Sequence, residues 1–331
     1  MEIENRTDSK ELTEEAGKRQ ERNLDNKRIV LYLLITFGLT YALEIFGIMP
    51  RVASTDINQA MLAQSLTAGV MFIPAIGALL TRMITKERFT PKNLYVALNL
   101  KGNVKYYALA WFGFAGLIII GTALYFLIFR EQFDPEFSYV KAMLSAQTPD
   151  VSYTADQLRQ LMVSQILMGI VLSPFLNIFT CFGEEWGWRG YLLPKMLKRF
   201  SVVPTLLING VIWGLWHAPL TMMGHNYGIG YPGFPYLGIF SMCIFCIVIG
   251  IILSYITIKT KSCIPAILAH GTLNGFAAIG VYFTSLEHPY NVFLGPMPVG
   301  LIGGAGFILT AAALLFLLYR EEKQKKERFC L

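Results

Sequence analysis

The sequence predicts an all-α fold: a polytopic membrane protein built as a bundle of eight transmembrane helices, with both termini cytoplasmic. Three observations carry this expectation. Of 331 residues, 54% are hydrophobic and only 15% are Asp, Glu, Lys or Arg, against roughly 25% charged in a soluble domain. Eight stretches are apolar over about 20 residues, the length that spans a hydrocarbon core of about 30 Å at about 1.5 Å per residue. The basic residues punctuate these stretches and lie mostly on one side of them. This composition excludes a disordered chain, a collagen-like repeat and a small disulfide scaffold. Nucleic acid is no partner either, because the +6 net charge forms no patch on a folded domain.

The spans are expected near 29–48, 61–81, 106–129, 163–188, 204–223, 236–257, 264–284 and 298–319. No Asp, Glu, Lys or Arg occurs between Arg199 and Lys259. That interval is too long for one helix and folds back at Gly224-His225-Asn226-Tyr227-Gly228-Ile229-Gly230-Tyr231-Pro232-Gly233. Even span number puts the termini on one side, and the enrichment of cytoplasmic loops in Lys and Arg selects the inner one. With that orientation 24 of 28 basic residues are inner, leaving only Arg51, Arg130, Lys141 and Arg159 outside. The chain divides into a charged cytoplasmic tail (1–28), a transmembrane domain (29–319) and a basic C-terminal tail (320–331). The outer segment 130–160 is polar, with a short helix expected around Asp156–Leu161. Cys243 and Cys246 have redox-pair spacing but read as small apolar residues on a helix, and Cys330 is one residue short of a prenylation box.

Ionisable groups at membrane depth are costly and point to function. The first half contributes only Glu44, read as a snorkelling or capped carboxylate near the outer end of span 1. The second half concentrates Glu184, Glu185, Arg189, His217, His270 and Asn274 on spans 4, 5 and 7. Glu185 and Arg189 are four apart, as are Trp213 and His217, and His270 and Asn274, so each pair shares a helical face. Glu184 is turned about 100° from Glu185 and meets other neighbours. In an antiparallel hairpin with its tip near Phe200, Glu184 and His217 come level, and His270 has similar depth, in a site expected to open toward the cytoplasm. His225 reads as a turn residue, and His288 lies on the wrong side.

Such a set can activate water. Glu184 is suited to general base, His217 to hold or share the water, and His270 and Asn274 to donate to an oxyanion. No Ser or Cys stands in helical partnership with a histidine, which disfavours a covalent nucleophile. A divalent metal such as zinc, held by Glu184, His217 and His270 with one position open to water, is the rival account, and spacing alone does not separate the two. No resident cofactor is favoured.

At these residues the chain resembles the CPBP family, which comprises CAAX-type prenyl endopeptidases and bacteriocin-processing or self-immunity proteins. Three motifs carry the resemblance in family order: Glu184-Glu185-Trp186-Gly187-Trp188-Arg189, Trp213-Gly214-Leu215-Trp216-His217 (Trp where Phe is commoner), and His270-Gly271-Thr272-Leu273-Asn274. The resemblance covers about 160–285. It implies an intramembrane endopeptidase of eight helices, metal-dependent or glutamate-type, in which Glu184 and His217 activate water and His270 and Asn274 stabilise the oxyanion. Glu185, Arg189 and Trp213 then act in support, the first two as an ion pair. The implied partners are the lipid bilayer and a peptide or protein substrate, lipid-modified or not, and the implied location is a prokaryotic plasma membrane. A non-proteolytic membrane partner, in immunity or signalling, is the alternative. A transporter fits less well, since every candidate lies in one half and no repeat is visible.

Overall fold

The computed structural model describes residues 2–148 and 151–329, with side chains described between Glu21 and Arg328 apart from Arg22. Among the described residues the secondary structure is helical, with a single isolated bridge between Phe133 and Thr284. The main helices are α1 (Glu2–Ala42), α2 (Ile57–Val70), α3 (Ile73–Ile84), α4 (Val104–Ile128), α5 (Ser138–Gln147) and α6 (Ala155–Leu176). They continue as α7 (Ile178–Glu185), α8 (Val202–Trp216), α9 (Tyr236–Thr260), α10 (Ile264–Phe276) and α11 (Ala305–Phe329).

Each expected span overlaps a helix, yet fewer than eight meet the length and hydropathy of a simple span. Among the described residues five do so, and a sixth is α2 with α3 if the pair, bent by 47°, is taken as one span. The apolar α8 has only 15 residues, and α11 begins at Ala305 because Pro296, Pro298 and the glycines around them hold the preceding chain in turns. The helix expected at 156–161 is instead the start of the longer α6. It starts earlier because Thr154 and Gln157 form a capping box. The N-terminal tail joins α1, and Cys330 lies outside the described residues.

Where lipid surrounds both partners, helices associate through close packing at small residues. The broadest interface, α8 on α9, is built this way. A Cβ at Gly210 would sit 2.5 Å from the Ile247 Cα, and one at Gly214 would collide with the Cys243 backbone. A second small-residue face joins α7 to the α2–α3 bend. There a Cβ at Gly183 would fall 2.7 Å from the Phe72 Cα, and one at Gly187 2.5 Å from the Pro74 side chain.

Two prolines break the helices that carry the site. Pro219 and Pro174 lack an N–H, which frees the carbonyls four residues before them, Leu215 and Ile170. Side chains from distant helices take up both: the Tyr41 hydroxyl donates to Leu215 O at 2.6 Å, and the Trp111 indole to Ile170 O at 2.5 Å. At the basic end of the bundle, Glu87 gathers Lys195 (2.7 Å), Arg28 (3.4 Å) and Arg82 (3.4 Å) and accepts from the Tyr191 hydroxyl (3.2 Å). One carboxylate thereby ties the α3–α4 connection to the continuation of α7.

Candidate active site

Glu184 and Glu185 close α7, which runs on through a π-helical turn, Trp186–Leu192. Their side chains diverge as adjacent helical positions must. Glu185 Oε1 accepts from Arg189 Nη1 at 2.9 Å and meets His270 Nδ1 at 2.8 Å. Glu185 and Arg189 are both 0% exposed, so the pair is a fully buried bridge whose loss would strand a charge. Glu184 Oε2 instead accepts from the Trp213 indole N–H at 2.9 Å. The same indole lies 4.1 Å from the Arg189 guanidinium carbon, ring under cation. Trp213 thus joins the two carboxylate systems, a contact between helices that the spacing Trp213–His217 did not reveal.

His217 caps α8 where Pro219 interrupts it. Its Nδ1 faces the Trp213 carbonyl at 2.8 Å. A carbonyl only accepts, so Nδ1 carries the proton and Nε2 is left as an acceptor. The Trp216 ring stands edge-on to the imidazole, 4.7 Å between centroids at 82°, and fixes its plane. His270 is oriented through Nδ1 by Glu185. For its Nε2 to donate as well, the ring must be an imidazolium, whose charge the Glu185 carboxylate offsets. Asn274 follows one turn later, exposed, with Nδ2 3.7 Å from Cys181 Sγ.

Glu184, Trp213, His217, His270 and Asn274 all line one cavity of about 570 Å³. The remaining wall includes Gln64 and Thr67 of α2, Asn177, His225 and Asn226. Sequence reasoning missed these residues. Asn177 stands at the break between α6 and α7, donating to Ser173 O at 2.9 Å. His225, read as a turn residue of the glycine-rich loop, does lie in a turn, and the break at Pro219 brings that turn to the cavity. Its ring lies parallel to His217 (6°), with centroids 6.2 Å apart. Its one visible signal was a histidine eight residues beyond His217, across a helix-breaking proline. Glu44 is a further correction. It neither snorkels nor is capped: the turn Leu43–Ile48 packs on α2, and the side chain is buried with no hydrogen-bond partner at either oxygen among the described residues.

Every lining residue lies at or beyond the level of Glu184 on the side away from the basic turns at Lys198–Arg199 and Lys261. On the basic side Trp188, Arg189, Tyr191 and Leu192 are all buried. Glu184 and His217 line the same cavity, and the helix continues past Glu184 as buried, packed turns.

Among the described residues no group of three or more His, Cys, Asp or Glu side chains is arranged to hold a metal ion, and one Glu184 oxygen is engaged by an indole N–H. A metal held by Glu184, His217 and His270 would have to share the Glu184 carboxylate with that indole.

Comparison with known proteins accords with this region. Residues 163–276 match the family model described as type II CAAX prenyl endopeptidase Rce1-like. CAAX prenyl protease 2 of Methanococcus maripaludis is 32% identical over 108 residues, which covers 30% of this chain and 37% of that relative. The matched stretch therefore spans little more than a third of the relative's length. The resemblance read from the three motifs is borne out over the region that holds them all, residues 163–276, which are similar to CAAX prenyl endopeptidases of the Rce1-like kind.

Proposed function

We propose that the protein is an intramembrane endopeptidase that hydrolyses a peptide bond in this cavity. The observation that carries the reading is the meeting of Glu184, His217, His270 and Asn274, from three helices, on one cavity wall. Water held between Glu184 and His217 Nε2 gives a proton to the Glu184 carboxylate as its oxygen attacks the carbonyl carbon. The oxyanion formed takes hydrogen bonds from Asn274 Nδ2 and, in its imidazolium form, His270 Nε2. The proton then passes to the amide nitrogen, the C–N bond breaks, and a carboxylate and an amine leave. Glu185 and Arg189 position His270 and Trp213 and do not touch the substrate. The site works without a metal in this proposal. Glu184 takes the role of base that a metal-bound hydroxide would otherwise make unnecessary.

Glu184→Gln should abolish cleavage in isolated membranes while the protein still accumulates and unfolds at an unchanged temperature; full activity would overturn the proposed base. Asn274→Ala should lower kcat/KM by about 2.7–4 kcal/mol with kcat carrying the loss, as for removal of an oxyanion donor. A change confined to KM would contradict that role. One tightly held zinc per chain, required for turnover after chelation and reloading, would replace this mechanism with the metal-dependent one.

A further inference from the structure

Four rings of the site stand in series. Their centroids are 5.6 Å apart from His270 to Trp213, 5.7 Å from Trp213 to His217 and 6.2 Å from His217 to His225. The hydrolytic steps use the first three rings and leave His225 without a role, although it lines the same cavity. The backbone sets its place. Pro219 interrupts the helix after His217, the helical turn Ala218–Met222 follows, and Gly224 stops that turn with φ +98°. The His225 N–H then reaches back to Leu220 O and the Gly224 N–H to Thr221 O, both at 3.0 Å. These are the paired bonds of a Schellman motif. Any residue but glycine is strained at such a φ, so Gly224 specifies the turn that returns the chain to the cavity.

The two imidazoles are parallel within 6°. Same-facing peptide groups of an extended strand recur every two residues, about 6.4–6.8 Å, close to the 6.2 Å between the rings. With a scissile carbonyl at the water beside His217, the next same-facing peptide group comes level with His225. At neutral pH an imidazole is mainly uncharged. It then has one N–H donor and one acceptor nitrogen, the complement of a peptide group.

We propose that His225 is a substrate-binding residue that hydrogen-bonds an extended polypeptide at the peptide group two residues from the cleaved bond. The role rests on the endopeptidase reading. Recognition at this subsite is of backbone, not of a particular side chain.

The test first finds its probe. New N-termini are labelled in membranes carrying the wild-type chain or Glu184→Gln, and a synthetic peptide spanning a Glu184-dependent cleavage is used thereafter. His225→Ala should raise KM for that peptide roughly three- to tenfold, the loss of one neutral hydrogen bond, with kcat nearly kept. His225→Gln restores a donor and an acceptor, so it should recover most of the loss and leave the pH profile of kcat/KM unmoved. Esters are then placed, one at a time, at the two peptide groups that lie two residues from the cleaved bond. One of them should cost the wild-type chain as much as His225→Ala does, and should cost that variant nothing further. An unchanged KM in His225→Ala overturns the proposal, as does full tolerance of both esters. His225→Gln as poor as His225→Ala, with a displaced pH profile, would make the residue an acid or base and overturn it too. The esters need no substitution in the protein, so misfolding of a variant leaves them to decide. If no cleavage depends on Glu184, the endopeptidase reading itself falls; Glu184-dependent cleavage indifferent to residue 225 sinks this role alone.

Discussion

Trp213 has more dependent on it than any other side chain of the site. Its indole N–H is the protein donor to Glu184, and its ring is the face on which Arg189 rests. Trp213→Phe keeps the ring and deletes the donor. A hydrogen bond to a charged group contributes about 1.5–3 kcal/mol, so kcat/KM should fall roughly ten- to a hundredfold with little change in unfolding temperature. An unchanged kcat/KM would show that the Glu184 carboxylate needs no such anchor. The pairs at helical spacing were legible in the sequence because i,i+4 periodicity is geometric: Glu185–Arg189 is the buried bridge that its spacing implied. The indole–carboxylate contact was not legible, because it joins two helices and depends on which way an aromatic ring turns. His270 reaching Glu185 was hidden for the same reason.

At the scale of elements, the breaks in helices do the positioning. His217 faces the cavity because α8 ends on it, and α8 ends there because of Pro219. The carbonyl so freed is capped by Tyr41, from the first helix. Tyr41→Phe keeps the packing and leaves Leu215 O without that donor, at a cost of about 1–3 kcal/mol if the carbonyl stays dry. Thermal unfolding in detergent should register the loss, and turnover should fall with it because the segment bearing His217 loosens. A neutral result would mean that lipid or water reaches this carbonyl. Span positions were legible as runs of apolar residues. The π-helical turns, the α2–α3 bend and the late start of α11 were not, since hydropathy reports burial in lipid and is blind to how a backbone hydrogen bond is rerouted.

For the molecule as a whole, the cavity's far wall was the least legible feature: Gln64, Asn177 and Asn226 lie far apart in the chain and meet only when the bundle closes. The buried layer below the site has an electrical consequence. Were water to fill the cavity, a membrane potential would fall not along it but across the dry stratum of Trp188, Arg189, Tyr191 and Leu192, about two turns of packed helix. The buried Glu185–Arg189 pair would then sit within that field.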